Sequence, residues 1–148
     1  IRFLKEVIAA VRRVWPREKP LMLRVSAEEY APDGNHASDV ANIINLVKDE
    51  GVDIIDVSSG AVAPANMNVY PGYQVTYAET IKRLTNLPVI AGGLITEPAM
   101  AEEILQNKRA DMVYIGRELL RNPYWAFQAA KKLNVDLPWP HQYERAKF

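Results

Sequence analysis

The sequence predicts an α/β fold of four βα units, half of a (β/α)8 barrel, and three observations predict it. Helical and strand-length apolar patterns alternate along the chain, with strand starts about 30 residues apart, the spacing of strand–helix crossover units. The first strand pattern, Leu21-Met22-Leu23-Arg24-Val25, is a near-continuous apolar run, as expected in a parallel sheet covered by helices. The last two strands run into glycine, at Gly92-Gly93 and at Gly116, where barrels of this class build phosphate sites. A flavodoxin-like open sheet would share the alternation, so the strand ends carry the distinction.

Each element follows from a local pattern. Phe3, Leu4, Val7, Ile8, Val11 and Val14 recur at helical spacing, and that helix stops at Trp15 because the residue before Pro16 is pushed out of the α region. A strand over 21–25 follows Pro20, then a loop over 26–35 containing Pro32-Asp33-Gly34. Val40, Ile43, Ile44 and Val47 mark a helix over 37–49, with Gly51 placed to cap it. A strand over 52–57 leads into a polar loop over 58–72, and a loop of that length in a compact domain is functional or disordered. Helix over 75–84, strand over 89–91, helix over 97–106 and strand over 112–115 complete the alternation. A last helix over 123–133 carries proline at its first turn, and the Pro- and aromatic-rich tail over 136–148 has no period.

Composition narrows the function. With 148 residues, 49% of them hydrophobic, the chain has material for one sizeable core. Eighteen Lys and Arg balance eighteen Asp and Glu, which excludes a bulk field for nucleic acid or an anionic membrane; any anion site must be local. No apolar run approaches the roughly 20 residues that span a bilayer. The absence of cysteine excludes disulfides and thiol nucleophiles and makes the cytoplasm the expected compartment. With no paired histidines either, no metal site is expected. The chain enters directly into a helix at Ile1, as a piece of something longer would.

The chemistry concentrates at strand ends. Gly92 and Gly93 have no Cβ to keep a ligand away from backbone N–H groups, and Gly116 repeats the device with Arg117 added. A guanidinium grips phosphate through paired donors, and the helix after it offers a positive end. Arg24 closes an apolar strand at the barrel mouth, where a permanent charge needs a partner. Two partners satisfy it, an anionic ligand or an internal salt bridge to Asp53 or Asp56, and the pattern does not choose between them. Ser58, Ser59 and Gly60 read as a polar cap on a strand end.

These residues lie in segments that resemble the Old Yellow Enzyme family. LRVSAEEY, GVDIIDVSSGA, PGYQVTYAETI, AGGLIT, AEEILQNKRADMVYIGRELLRNPYWA and the terminal QYER are similar to the second half of its NADPH dehydrogenase, or thermophilic-like ene-reductase, branch, essentially end to end. The resemblance implies the C-terminal half of an FMN-containing (β/α)8 barrel that takes hydride from NADPH and delivers it to the β-carbon of an activated alkene. It implies that Arg24 lies near flavin N1, that Gly92 and Gly93 form the phosphate loop after strand seven, and that Gly116 and Arg117 bind phosphate after strand eight. It also implies that Arg145 reaches across a dimer interface into the neighbouring active site, with the tail over 134–148 packed there through Trp139, Pro140 and Tyr143.

His36 and His141 fall outside the paired-histidine pattern of that family and read as helix-start and tail residues. The substrate-binding histidines, the proton-donor tyrosine and the residues of the first strands belong to an N-terminal half that this sequence does not contain. The expected partners are therefore that missing half-barrel, a small enone substrate and a second copy in a homo-oligomer, and the chain alone is expected to be inactive. A non-catalytic flavin- or phosphate-binding half-barrel is the alternative. A barrel aldolase or isomerase is opposed by the lack of a strand-end lysine for a Schiff base.

Overall fold

A computed structural model of the chain describes residues 1–147. Its elements run α1 (Arg2–Val14), β1 (Met22–Ser26), α2 (Ala37–Asn45), β2 (Ile54–Ser58), α3 (Val75–Thr85), β3 (Val89–Ala91), α4 (Pro98–Gln106), β4 (Met112–Val113), α5 (Arg117–Arg121) and α6 (Trp125–Lys132). The strands form one parallel sheet in the order β1-β2-β3-β4, and α2, α3 and α4 supply the three crossovers. The register sets Arg24 beside Asp56, Asp56 beside Ile90 and Ile90 beside Met112 across the sheet.

The two faces differ. Side chains alternate along a strand, and Ile55, Val57, Val89 and Ala91 turn toward the helices, where they are buried with Val40, Ile44, Val75, Ala78, Ile81 and Ile104. The other face carries Met22, Arg24, Ile54, Asp56, Ile90 and Met112; Met22 is 55% exposed and Met112 39%. Parallel sheets are ordinarily covered on both faces. With helices on one side only and free edges at β1 and β4, the chain is half of a (β/α)8 barrel whose uncovered face is the barrel interior.

The sheet's N-terminal end is tied by a device used twice. Asp53, just before β2, accepts the Leu21 N–H at 2.7 Å and pairs with Arg12 of α1. Asp111, just before β4, accepts the Val89 N–H at 2.9 Å and pairs with Lys82 of α3 at 2.8 Å. Each carboxylate thus satisfies a backbone donor that starts the neighbouring strand and anchors a helix to it.

Four elements depart from the sequence expectation. The helix expected over 37–49 ends at Asn45 and gives way to a 3-10 turn, Lys48–Glu50, with Gly51 left-handed at φ 116° behind it. The strand expected over 112–115 is regular only over Met112–Val113, with one further backbone bond from the Tyr114 N–H to the Ala91 carbonyl at 2.8 Å. The single helix expected over 123–133 is α6 preceded by an unforeseen α5; Asn122, extended at φ −135° and ψ 86° ahead of Pro123, breaks the two apart. The tail is not aperiodic, since His141–Ala146 forms a 3-10 helix. Of the tail segment over 134–148, Phe148 lies outside the described residues.

Candidate functional site

The C-terminal ends of the strands enclose a cleft of about 190 Å³ lined in part by Arg24, Gly93, Tyr114, Gly116 and Arg117. Four of the six residues singled out from sequence therefore meet in one place. Gly92 lies just beneath, and Arg145 stands apart in the tail.

The glycines are required by contact. A Cβ on Gly92 would stand 2.1 Å from the Tyr114 ring, so that ring lies flat across the end of β3 only because position 92 has no side chain. Gly93 adopts φ +100°, and a Cβ there would approach the Gln74 backbone nitrogen to 3.0 Å. Its carbonyl accepts the Gly72 N–H at 2.6 Å, which stitches the long loop after β2 to the turn after β3. At Gly116 nothing lies within 4 Å of the Cβ position, so the backbone there is open to a ligand.

Arg117 is exposed at the cleft, and among the described residues no carboxylate pairs with it. Arg121, one turn on, is instead bound to Glu118 at 2.7 Å. The helix behind Arg117 is only Arg117–Arg121, too short for the macrodipole that the sequence reading attached to it, so the guanidinium and the glycine backbone are the features that suit an anion.

Of the two candidate carboxylates Arg24 pairs with Asp56, whose Oδ2 accepts from Nη1 at 2.5 Å; Asp53 is taken by Arg12. That pair is single, since Asp56 Oδ1 is buried without a partner. Asp56 does not remove Arg24 from the cleft. The guanidinium remains half exposed and lies over the Tyr114 ring, 5.0 Å from its centroid. Asp56 also raises the Arg24 pKa, so the cation is permanent. Burial raises the Tyr114 phenol, which keeps its proton.

Beneath the ring, Tyr114 donates to Gln74 Oε1, and Gln74 Nε2 reaches Ser59 Oγ and the Tyr73 hydroxyl, each at 3.1 Å. Ser58 lines the cleft, whereas Ser59 is buried and bonded to Tyr30 at 3.0 Å. Tyr114 is not among the residues singled out from the sequence, although its parity with Met112 on the strand pattern over 112–115 was a signal that could have found it. Gln74 carried no signal, since a polar residue at a helix start reads as an ordinary cap. His36 does stand at a helix start, with its N–H on Asp39 and its ring 2.9 Å from Glu28.

In the tail, Trp139 packs on Phe127 with ring centroids 4.5 Å apart, and an apolar groove forms between Tyr124, Phe127, Trp139, Pro140 and Tyr143. Arg145 sits on the 3-10 helix beside it, exposed and not part of the cleft.

Comparison with known proteins gives the site a context. The chain is 57% identical over 146 residues to the NADPH dehydrogenase of Clostridium acetobutylicum, an alignment that covers 98% of this chain and 43% of that protein. It is 55% identical over 143 residues to the NADPH dehydrogenase of Geobacillus thermodenitrificans, covering 97% of this chain and 42% of the relative. The chain thus spans about two fifths of the length of these curated relatives. Among solved structures, a 2-naphthoyl-CoA reductase in complex with 2-naphthoyl-CoA superposes with a TM-score of 0.79 at 20% identity, over 88% of this chain and 21% of that one. Morphinone reductase superposes with a TM-score of 0.65 at 19% identity, over 94% of this chain and 36% of its own. The model of the NADH:flavin oxidoreductase / NADH oxidase family matches residues 1–136, and the chain belongs to that family.

Proposed function

We propose that this chain is the flavin-phosphate-binding half of an FMN-dependent NADPH oxidoreductase that reduces the activated C=C bond of α,β-unsaturated carbonyl compounds. The observation that carries the reading is the convergence of Gly93, Gly116 and Arg117 with Arg24 in one cleft. The family, and relatives named NADPH dehydrogenase, supply the flavin and the reductant.

The residues fit the cofactor. The phosphate would be held by the backbone of the Gly93 turn, by the open backbone at Gly116 and by Arg117, a cation with no carboxylate partner among the described residues. Arg24, which lines the same cleft, would serve the ring, where a fixed cation would stabilise the anionic reduced form. When bound, FMN supplies the hydride chemistry, from NADPH to the β-carbon of the alkene. The polar groups that choose and protonate the substrate are assigned to the other half of the barrel, and Arg145 to the neighbouring subunit of a homo-oligomer. The exposed position of Arg145, away from its own cleft, supports that assignment.

The test is the colour and turnover of the full-length enzyme that carries this sequence. A flavin absorbance spectrum, with NADPH oxidation that depends on an α,β-unsaturated ketone, is the expected result. Colourless protein that does not take up FMN contradicts the reading. Yellow protein without turnover instead marks a flavin-binding module.

A further inference from the structure

Gln74 is a buried amide, 3% exposed, at the point where the long loop after β2 becomes α3. A buried carboxamide needs partners for both its N–H donors and its carbonyl. Here Nε2 is shared between Ser59 and Tyr73, and Oε1 accepts the hydroxyl of Tyr114. With a longer contact from Nε2 to Ser58 Oγ at 3.5 Å the amide has four side-chain partners, and it is itself tied, through Ser59, to Tyr30.

Tyr114 in turn lies against Arg24. The ion pair with Asp56 uses one guanidinium nitrogen and one carboxylate oxygen, because Asp56 Oδ1 has no partner. A single bond of this kind fixes a point and leaves the guanidinium plane free to turn, unlike the two-bond fork that arginine makes with a fully engaged carboxylate. The ring of Tyr114 supplies the missing constraint, with the guanidinium carbon 5.0 Å from its centroid. Gly92 leaves the ring room to lie there, and Gln74 holds its far end.

We propose that Gln74 is a positioning residue for Arg24: it fixes the Tyr114 ring by its hydroxyl, and the ring sets the plane of the guanidinium in the cleft. This rests on Arg24 serving the flavin ring as argued above. The Tyr114 phenol keeps its proton because burial raises its pKa, so the bond to Gln74 persists across the working range of the enzyme.

The experiment compares Gln74→Met, Tyr114→Phe and the double variant in the full-length flavoenzyme. Gln74→Met keeps side-chain length and removes the acceptor; Tyr114→Phe keeps the ring and removes the donor. The readout is the ratio of affinities for reduced and oxidised FMN, measured by titration under reducing and oxidising conditions with the melting temperature alongside. Each single variant is expected to lower that ratio about fivefold, as for groups coupled in one network, and the double variant to lower it no further. Arg24→Ala is the reference and lowers the ratio at least as far.

An unchanged ratio in Arg24→Ala refutes the flavin-ring reading of Arg24, and with it the premise of the proposal. A lowered ratio in Arg24→Ala with unchanged ratios in Gln74→Met and Tyr114→Phe overturns the role of Gln74 alone. So does a double variant whose loss is the product of the two single losses. Should Gln74→Met not fold, Tyr114→Phe decides by the same ratio.

Discussion

The Arg24 guanidinium lies over the Tyr114 ring, its carbon 5.0 Å from the ring centroid, while Asp56 holds the cation from the neighbouring strand. A permanent positive charge is thereby presented to the cleft without being neutralised by a two-bond carboxylate fork. Replacing Arg24 by Ala in the full-length enzyme should leave FMN bound but make its reduction potential more negative. A loss of about 1.4 kcal/mol from the reduced form corresponds to about 30 mV for a two-electron couple. Spectroelectrochemistry reads this directly, and an unshifted potential removes Arg24 from the flavin ring.

Gly92→Ala should destabilise the protein by about 1–3 kcal/mol, because the new methyl group meets the Tyr114 ring in a filled space. Urea unfolding measures the loss. The cause is checked in a Tyr114→Ala background, where the added cost of Gly92→Ala should largely disappear; a cost that persists there assigns the glycine to backbone conformation instead.

At the opposite end of the sheet, Asp111 governs acid stability. Burial alone would raise its pKa, but the Lys82 ammonium and the Val89 N–H outweigh that and hold it below its ordinary value of 3.8. Its contribution is therefore present in full above 3.8 and is lost as pH falls through the lower folded value. Asp111→Asn should cost about 1 kcal/mol at neutral pH, the partly exposed ion pair being discounted for solvent screening, and should flatten the acid limb. Denaturation between neutral pH and the acid limb tests this: equal losses at both ends would contradict it.

The uncovered sheet face makes a prediction for the chain in isolation. With free edges at β1 and β4 and with Met22 and Met112 exposed on those edge strands, the 148-residue chain should self-associate. Sedimentation velocity should show species larger than one chain, reduced when Met22 and Met112 are replaced by Lys. A monomer at all accessible concentrations would show that the face is tolerated in water.

The alternation of βα units was legible because each strand is a short apolar run bounded by proline or glycine, a pattern that Pro20 and Gly92 make unambiguous. The break between α5 and α6 was not, since Arg117 to Lys132 reads as a loop followed by one helix until the backbone at Asn122 is seen to be extended. The cleft-lining residues Gly93, Gly116 and Arg117 were visible as strand-end glycines beside an arginine. What sequence could not give was the carboxylate partner of Arg24, because Asp53 and Asp56 stand close together on the same strand pattern and only the register separates them: Arg24 aligns with Asp56. Gln74 was invisible for a related reason, its partners Ser59 and Tyr114 being 15 and 40 residues away.

The central claim is that Gly93, Gly116 and Arg117 hold the phosphate of FMN, and the most direct measurement compares FMN with riboflavin, which lacks that phosphate. Titrated into the apo form of the full-length enzyme, FMN should bind more tightly than riboflavin. Arg117→Ala should erode that preference by about 1.5–3 kcal/mol, the worth of a charge-assisted hydrogen bond, while leaving riboflavin affinity unchanged. An undiminished preference for FMN in Arg117→Ala, or equal loss of both ligands, would contradict the assignment.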